Sequence, residues 1–212
     1  MIKVIICDDH RIVREGLSQI LSLYSDIAVM DVVSTGESLI KRLKNDQPDV
    51  VVLDISLPGR SGLEILKQVK LLYPKIAVLI LSMYSEDQFA IRMLKAGASS
   101  YLNKDTAPEV LIEAIRTIAK GGEYISKEVT NLLVGEMMRE TELSPHEVLS
   151  DREYEVLLLI GQGQTVTDIA RKLSLSVKTI STYRSRLMYK LEINSNTDLV
   201  KYMIRLGIIG TE

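Results

Sequence analysis

The first 120 residues alternate short apolar segments with amphipathic ones, and this order restricts the fold more than any other feature. Each amphipathic segment repeats its apolar residues at intervals of three and four, which is typical of helices that cover a core. The apolar segments predict five strands, at residues 4–7, 27–33, 50–53, 76–81 and 99–102. Five successive strand–helix units predict a doubly wound parallel sheet, the flavodoxin-like (βα)5 arrangement of the α/β class.

The strand pattern ends at Gly121 and Gly122, and the remainder of the 212 residues is helical in pattern. One helix is predicted over residues 126–138, and the polar stretch 139–147 is the best candidate for a linker. Four further short helices follow, of which the second and third are separated only by Ser174 and Leu175, the spacing of a helix-turn-helix. We therefore expect an α/β domain followed by an all-α domain of four helices, with boundaries at 1–122, 123–147 (linker with helix) and 148–212.

Composition excludes several classes of protein. No apolar segment approaches the roughly 20 residues of a membrane helix, and Met1 leads directly into the first strand, so we expect a cytoplasmic protein without membrane contact. The single cysteine, Cys7, and the two histidines, His10 and His146, have neither zinc-ligand spacing nor the arrangement of a catalytic triad.

Acidic residues follow two strands that are neighbours in a doubly wound sheet. Asp8 and Asp9 come after the first strand and Asp54 after the third, so their carboxylates should converge at the carboxyl edge. Close negative charges repel one another unless a cation lies among them, and Mg²⁺ prefers such oxygen ligands. A single aspartate at a strand end is usually a loop or cap residue, but three in one crevice predict a Mg²⁺ site.

Two further side chains should face this crevice. Lys104 follows the fifth strand and Ser82 ends the fourth, which adds a cation and a hydroxyl to the carboxylates. The set is suited to phosphoryl transfer onto a carboxylate, since a metal ion and an ammonium group can stabilise the phosphoryl oxygens. Asp54 is the best acceptor, because it stands alone on its strand whereas Asp8 and Asp9 can hold the metal.

Residues 1–120 resemble the receiver domain of two-component response regulators. The resemblance lies in residues 6–10, 53–59, 81–83 and 101–104, with the sequences ICDDH, LDISLPG, LSM and YLNK. It implies that Asp54 accepts phosphate from a sensor histidine kinase and that Lys104 contacts the phosphoryl group. It further implies that Ser82 and Tyr101 are the switch pair, Tyr101 moving inward on phosphorylation. The implied Mg²⁺ ligands are Asp8, Asp9, Asp54 and the carbonyl of Ser56.

The third helix of the C-terminal part, over residues 176–191, has an apolar side and a polar side. Residues 171–191 contain six basic residues and no acidic ones. The polar side can enter the DNA major groove, where basic side chains neutralise phosphates and short polar ones contact bases. A solvated surface is the alternative for a basic helix face alone. The helix-turn-helix context favours DNA contacts by Lys178, Thr179, Ser181, Thr182, Ser185, Arg186 and Lys190.

Residues 149–156, 167–173 and 176–191 resemble the LuxR-type DNA-binding domain. Together with the receiver, the whole chain is similar to NarL/FixJ-type response regulators, and residues 179–186, TISTYRSR, resemble the GacA-like branch. The resemblance implies double-stranded DNA as a partner and a homodimer when the protein is phosphorylated or bound to DNA. In the last helix, Leu199, Val200 and Met203 are similar to the dimerisation residues, with packing in the domain core as the alternative.

These patterns predict a sequence-specific transcription factor controlled by phosphorylation of Asp54, not a turnover enzyme. A Mg²⁺-dependent phosphatase of the haloacid-dehalogenase type is one alternative, but that type has Asp-x-Asp after its first strand where Asp8 and Asp9 are adjacent here. A small-molecule sensor joined to the same DNA-binding half is a second alternative, which the strand–helix alternation disfavours.

Overall fold

The computed structural model describes residues 1–138 and 148–205, and the chain divides into two compact units, residues 1–138 and 139–212. The predicted linker at 139–147 and Leu206, the predicted end of the last helix, lie outside the described residues. Among the residues described, none of the helices combines the length and the apolar character needed to cross a membrane.

A five-stranded sheet forms the centre of the first unit. All of its strands pair in parallel, in the order β2-β1-β3-β4-β5, which confirms the predicted doubly wound sheet. Observed and predicted boundaries differ by at most two residues. The strands are β1 (Ile2–Cys7), β2 (Ile27–Val33), β3 (Val50–Leu53), β4 (Ala77–Ser82) and β5 (Ser100–Asn103).

Helices cover both faces of this sheet. Alternate side chains of a strand point to opposite faces, so Val4 and Ile6 join the core under one pair of helices while Ile5 is buried on the other side. The first pair is α1 (Arg11–Ser22) and α5 (Pro108–Ala119). The opposite layer consists of α2 (Gly36–Leu43), α3 (Gly62–Leu72) and α4 (Glu86–Lys95).

Helix α6 (Lys127–Met138) packs against α4 and belongs to the first unit. Ser126 Oγ donates to Glu86 Oε2 at 2.6 Å and accepts a hydrogen bond from the N–H of Val129. Val129 is buried, so both a polar and an apolar contact hold the first turn of α6. The helix predicted within the linker segment is therefore part of the packed structure of the first unit.

The second unit contains α7 (Asp151–Gly161), α8 (Val166–Lys172), α9 (Val177–Lys190) and α10 (Asn196–Arg205). The hydroxyls of Ser150, Thr165 and Ser176 cap the first three helices by accepting an N–H from the residue three positions on. Helices α8 and α9 are joined by a short turn, as predicted, in which Ser174 has φ of 53°. The all-α prediction is confirmed, and the buried core includes Val156, Leu157, Ile169, Ile180 and Leu187.

Gly62 begins α3 where the helix lies directly against the end of β3. A Cβ atom at this position would lie 2.3 Å from the carbonyl oxygen of Asp54 and 2.6 Å from the Cα of Ile55. Both are backbone atoms, so they cannot move aside as a flexible side chain would. The absence of a side chain at Gly62 therefore allows α3 to pack next to Asp54.

We expect Gly62→Ala to lower the free energy of unfolding of the first unit by about 2–3 kcal/mol, because the added methyl group overpacks a rigid backbone contact. Denaturant unfolding measures the effect. Gly16→Ala, in α1, is the matched control, since a Cβ there meets no atom within 4 Å. It should stabilise the protein by roughly 0.5–1 kcal/mol through helix propensity. Equal stability of the two variants would contradict the close approach at Gly62.

Candidate functional site

The predicted carboxylates meet at the carboxyl edge of the sheet. Cys7 and Leu53 are register partners in β1 and β3, so the residues that follow them, Asp8 and Asp54, leave the sheet side by side. The N–H of Asp54 donates to the carbonyl of Cys7 at 2.9 Å, which holds the two strand ends together. Both aspartates are only 2% exposed.

Asp9 and His10 complete a cluster whose ligand atoms all lie within 4.8 Å of one another. The Asp9 side chain is partly exposed, but its Oδ1 is buried and accepts no hydrogen bond, although the Nδ1 of His10 lies 2.8 Å away. A buried carboxylate oxygen without a hydrogen bond is suited to a cation. His10 was not among the residues predicted for the site. The turn after β1 brings its side chain against Asp9, and nothing in the sequence indicated this contact.

Lys104 reaches the carboxylates from the loop after β5. Its Nζ lies 2.6 Å from Asp8 Oδ2 and 2.8 Å from Asp54 Oδ2, and its side chain is 8% exposed. The N–H of Lys104 donates to the carbonyl of Ser82 at 2.8 Å, which fixes the loop to the end of β4. The structure therefore brings together the four strand ends from which we expected the site to form.

Burial and neighbouring charges have opposing effects on the pKa values in this cluster. Burial raises the pKa of Asp54; the Lys104 ammonium lowers it, but the negative charge of Asp8 adds to the rise. Burial alone would lower the pKa of Lys104, but the charges and hydrogen bonds of Asp54 and Asp8 raise it above its ordinary value. Lys104 thus stays protonated. Its single positive charge faces two carboxylates, so it does not neutralise both.

The donor set fits a hard divalent cation. Asp8, Asp9 and Asp54 offer carboxylate oxygens, and Asp9 Oδ1 lacks a hydrogen bond. The backbone of Ser56 lies close by, since its N–H donates to Asp54 Oδ1 at 3.2 Å. The Ser56 carbonyl as a metal ligand remains a prediction. An acidic pocket of this kind can neutralise a metal ion, and it holds the carboxylates of Asp8 and Asp54 next to the ammonium of Lys104.

Ser82 and Tyr101 lie beside this cluster on adjacent strands. Ser82 is fully buried and its Oγ accepts the N–H of Tyr84 at 3.1 Å. Tyr101 is 1% exposed, and its hydroxyl donates to the carbonyl of Tyr84 at 2.8 Å. The ring of Tyr101 therefore already points inward in this structure. Sequence reasoning missed Tyr84, because its contribution comes from backbone atoms that any residue type could supply.

Helix α9 exposes most of the predicted DNA-binding side chains. Lys178, Ser181, Thr182, Ser185 and Arg186 are exposed, while Thr179 is half-buried and contacts the capping Ser176. Two hydroxyls bond within the helix: Thr182 donates to the carbonyl of Lys178 at 2.9 Å and Ser185 to that of Ser181 at 3.0 Å. The face thus combines two basic side chains with small hydroxyl groups.

Two other basic residues of α9 are engaged inside the second unit. Lys190, the seventh predicted DNA contact, lies with its Nζ 2.7 Å from Glu153 Oε2. Arg184 donates through Nε and Nη2 to Asn196 Oδ1, at 3.0 and 2.8 Å. Ser150 and Glu153 have the sequence spacing of a capping box, which singles out Glu153, but nothing in the sequence pairs it with Lys190.

The structure favours the alternative of core packing for two of the three predicted dimerisation residues of α10. Leu199 and Met203 are fully buried within the second unit, so their side chains fill its core and are not available to a second chain. Val200 is half-buried and remains accessible. An amphipathic helix buries one stripe, and the sequence alone could not tell whether that stripe faces its own domain or a partner.

Comparison with known proteins covers both units. Residues 4–116 match the response regulator receiver domain, and residues 147–203 match the luxR family of bacterial regulatory proteins. The oxygen regulatory protein NreC of Staphylococcus carnosus is 36% identical over 214 residues, which cover 98% of this chain and 99% of that protein.

Solved structures agree with these matches. RcsB from Salmonella enterica serovar Typhimurium, bound to promoter rprA in the presence of phosphomimetic BeF3-, is 28% identical with a TM-score of 0.65, over 96% of this chain and 98% of that one. A structure of two RcsB dimers bound to two parallel DNAs is 29% identical with a TM-score of 0.60, over 99% of each chain.

A receiver sheet with an aspartate cluster at its edge, followed by a helix-turn-helix unit, defines a DNA-binding response regulator of two-component signalling. The matched relative extends over nearly the whole chain, so the order of the two domains is shared as well as their folds. The chain belongs to the NarL/FixJ family of response regulators.

We expect Lys104→Met to lower the free energy of unfolding by about 3 kcal/mol in buffer free of divalent cations, because it leaves two buried carboxylates without their cation. Chemical denaturation of the full chain measures this. Lys75→Met, at an exposed loop position, should change stability by less than about 0.5 kcal/mol. A Lys104→Met protein as stable as the Lys75→Met control would show that the ammonium does not offset these charges.

Proposed function

We propose that a sensor histidine kinase transfers a phosphoryl group to Asp54 and that this controls DNA binding by the second unit. The observation that carries the proposal is the position of Asp54, a buried carboxylate that shares the ammonium of Lys104 with Asp8 at the edge of a receiver sheet. The chain acts as a transcription factor in the cytoplasm, not as a turnover enzyme. Its match to the LuxR-type domain supports this function over the phosphatase alternative.

In the transfer, an Asp54 carboxylate oxygen attacks the phosphorus of a phosphohistidine, forming an O–P bond as the N–P bond breaks. The leaving imidazole takes up a proton from solvent. Lys104 already lies within hydrogen-bond distance of Asp54, so its ammonium can neutralise the phosphoryl oxygens. Asp8, Asp9, Asp54 and the Ser56 carbonyl would hold Mg²⁺, which supplies further positive charge to those oxygens when bound.

The phosphorylated site would act through Ser82. Its hydroxyl is buried at the end of β4 and can turn from Tyr84 toward a phosphate on Asp54, which offers strong acceptors. Tyr101 already occupies the inward position, so the proposed switch consists of a change at Ser82 and Tyr84 without movement of the Tyr101 ring. We propose residues 1–122 as the receiver and 148–212 as the DNA-binding domain, joined by residues 123–147, whose helix α6 packs against the receiver.

Helix α9 is the proposed recognition helix. Lys178 and Arg186 are exposed basic side chains suited to DNA phosphates. The short hydroxyl side chains of Ser181, Thr182 and Ser185 are suited to base edges. Thr179, half-buried beside Ser176, stays a predicted DNA contact without an assigned role. One such helix contacts few base pairs, and helix-turn-helix proteins usually bind two half-sites as dimers. We therefore propose a homodimer when the protein is phosphorylated or DNA-bound, with the outer face of α10 at Val200 as the contact.

The acceptor assignment is tested by labelling with acetyl phosphate. The wild-type protein should gain the mass of one phosphoryl group in the presence of Mg²⁺ and none in EDTA, whereas Asp54→Asn should gain none at all. Asp9→Ala should need more Mg²⁺ for the same labelling, since it removes a metal ligand. Asp105→Asn, an exposed carboxylate next to Lys104, is the control and should be labelled normally. Labelling of Asp54→Asn at the wild-type rate would reject the assignment.

The DNA-binding face is tested by two variants with different expected behaviour. Arg186→Ala should weaken binding to every duplex and reduce the slope of log affinity against log salt by about 0.9, the loss of one phosphate contact. Thr182→Ala should leave the slope unchanged and cost roughly 1–3 kcal/mol only at the preferred site. Fluorescence anisotropy titrations at several salt concentrations distinguish the two, and an unchanged slope for Arg186→Ala would exclude its phosphate contact.

A further inference from the structure

The C-terminal end of α9 is fastened to the start of α7. Lys190 Nζ lies 2.7 Å from Glu153 Oε2 and donates to the carbonyl of Val148 at 3.3 Å. The Glu153 side chain is only 4% exposed, whereas that of Lys190 is 37% exposed. A buried carboxylate needs a partner far more than an exposed ammonium does, so this contact is more than an ordinary surface ion pair.

The same carboxylate oxygen has a second function in the fold. Glu153 Oε2 accepts the N–H of Ser150 at 2.7 Å, and the hydroxyl of Ser150 accepts the N–H of Glu153, which closes the capping box of α7. Hydrogen bonds from Lys190 and Ser150 outweigh the effect of burial and hold the pKa of Glu153 below its ordinary value. Lys190 is therefore joined to a carboxylate that the α7 cap already holds in one orientation.

We infer that Lys190 is a positioning residue that, through Glu153, sets the orientation of the recognition helix on DNA and does not itself neutralise a phosphate. The inference rests on the proposed role of α9 in base contacts. Arg184 provides a parallel case, since its guanidinium is likewise turned to another helix, at Asn196. Two basic residues of α9 thus fasten it to α7 and α10, while Lys178 and Arg186 remain exposed.

Helix length explains why this contact should affect base contacts. Thr182 precedes Lys190 by eight residues, or about 12 Å along the helix axis, so a tilt of about 5° at one end moves the other by about 1 Å. Hydrogen bonds to base edges tolerate only a few tenths of an ångström. Lysine and arginine contacts to phosphate adapt more readily, because their side chains are long and flexible. Loss of the contact should therefore reduce base preference more than general affinity.

The test compares Lys190→Met, Glu153→Gln and the double variant in the full chain. The operator is first selected from random duplexes with the wild-type protein. Each single variant should bind the operator about tenfold more weakly, equivalent to losing one base contact, and bind an unrelated duplex with nearly unchanged affinity. The salt slope should stay at the wild-type value. The double variant should be no weaker than either single variant, because both remove the same contact.

Lys178→Met is the matched control, since it removes an exposed lysine from the same helix. It should weaken binding to both duplexes and reduce the salt slope by about 0.9. Lys190→Arg, which keeps a cationic donor, should restore most of the operator preference. Thermal unfolding of each variant establishes that the protein is folded at the assay temperature, and Glu153→Gln retains the capping group.

Three results would overturn the inference in distinguishable ways. A slope reduced by about 1 for Lys190→Met, with both affinities lowered, would assign Lys190 to a DNA phosphate. A lower melting temperature with an unchanged ratio of operator to unrelated affinity would assign the contact to folding alone. A wild-type protein that selects no operator would reject base reading by α9, and the positioning role with it.

Discussion

The offset of negative charge by Lys104 is the interaction on which the receiver site depends. The carboxyl ends of parallel strands lie at one edge of the sheet. In this chain, aspartates follow two adjacent strands at that edge. Without a cation, Asp8 and Asp54 would repel each other in a buried position. Lys104 lies against both, and its loop is held to β4 through the carbonyl of Ser82. Charge balance thus connects β1, β3 and the loop after β5, and a backbone hydrogen bond joins that loop to β4.

Much of the fold could be predicted because its determinants are local. Continuous apolar segments predicted the strands. The helix caps at Ser150, Thr165 and Ser176 are also local, because each hydroxyl accepts the N–H of the residue three positions on. The convergence of Asp8 and Asp54 also followed, since strand order in a doubly wound sheet leaves little choice. The sequence therefore predicted the fold of each domain and the short turn between α8 and α9.

The remaining features depend on contacts between residues distant in the chain. The pairing of Lys190 with Glu153 spans 37 positions and has no local pattern. The apolar stripe that contains Leu199 and Met203 could have packed in its own domain or against a second chain, and the sequence did not decide between the two. Tyr101 is held inward by a backbone carbonyl, a group present at every position. In each case the sequence supplied the right residue type but not its partner.

The intrahelical hydrogen bonds of Thr182 and Ser185 have a consequence for which bases these residues can select. Each hydroxyl hydrogen is directed at a carbonyl one turn back, so each oxygen presents only lone pairs to solvent. In the proposed complex with DNA, and while those bonds persist, the two side chains would meet the major groove as acceptors. The complementary groups there are the amino groups of adenine and cytosine, whereas guanine O6 and thymine O4 would face an oxygen with no hydrogen to donate.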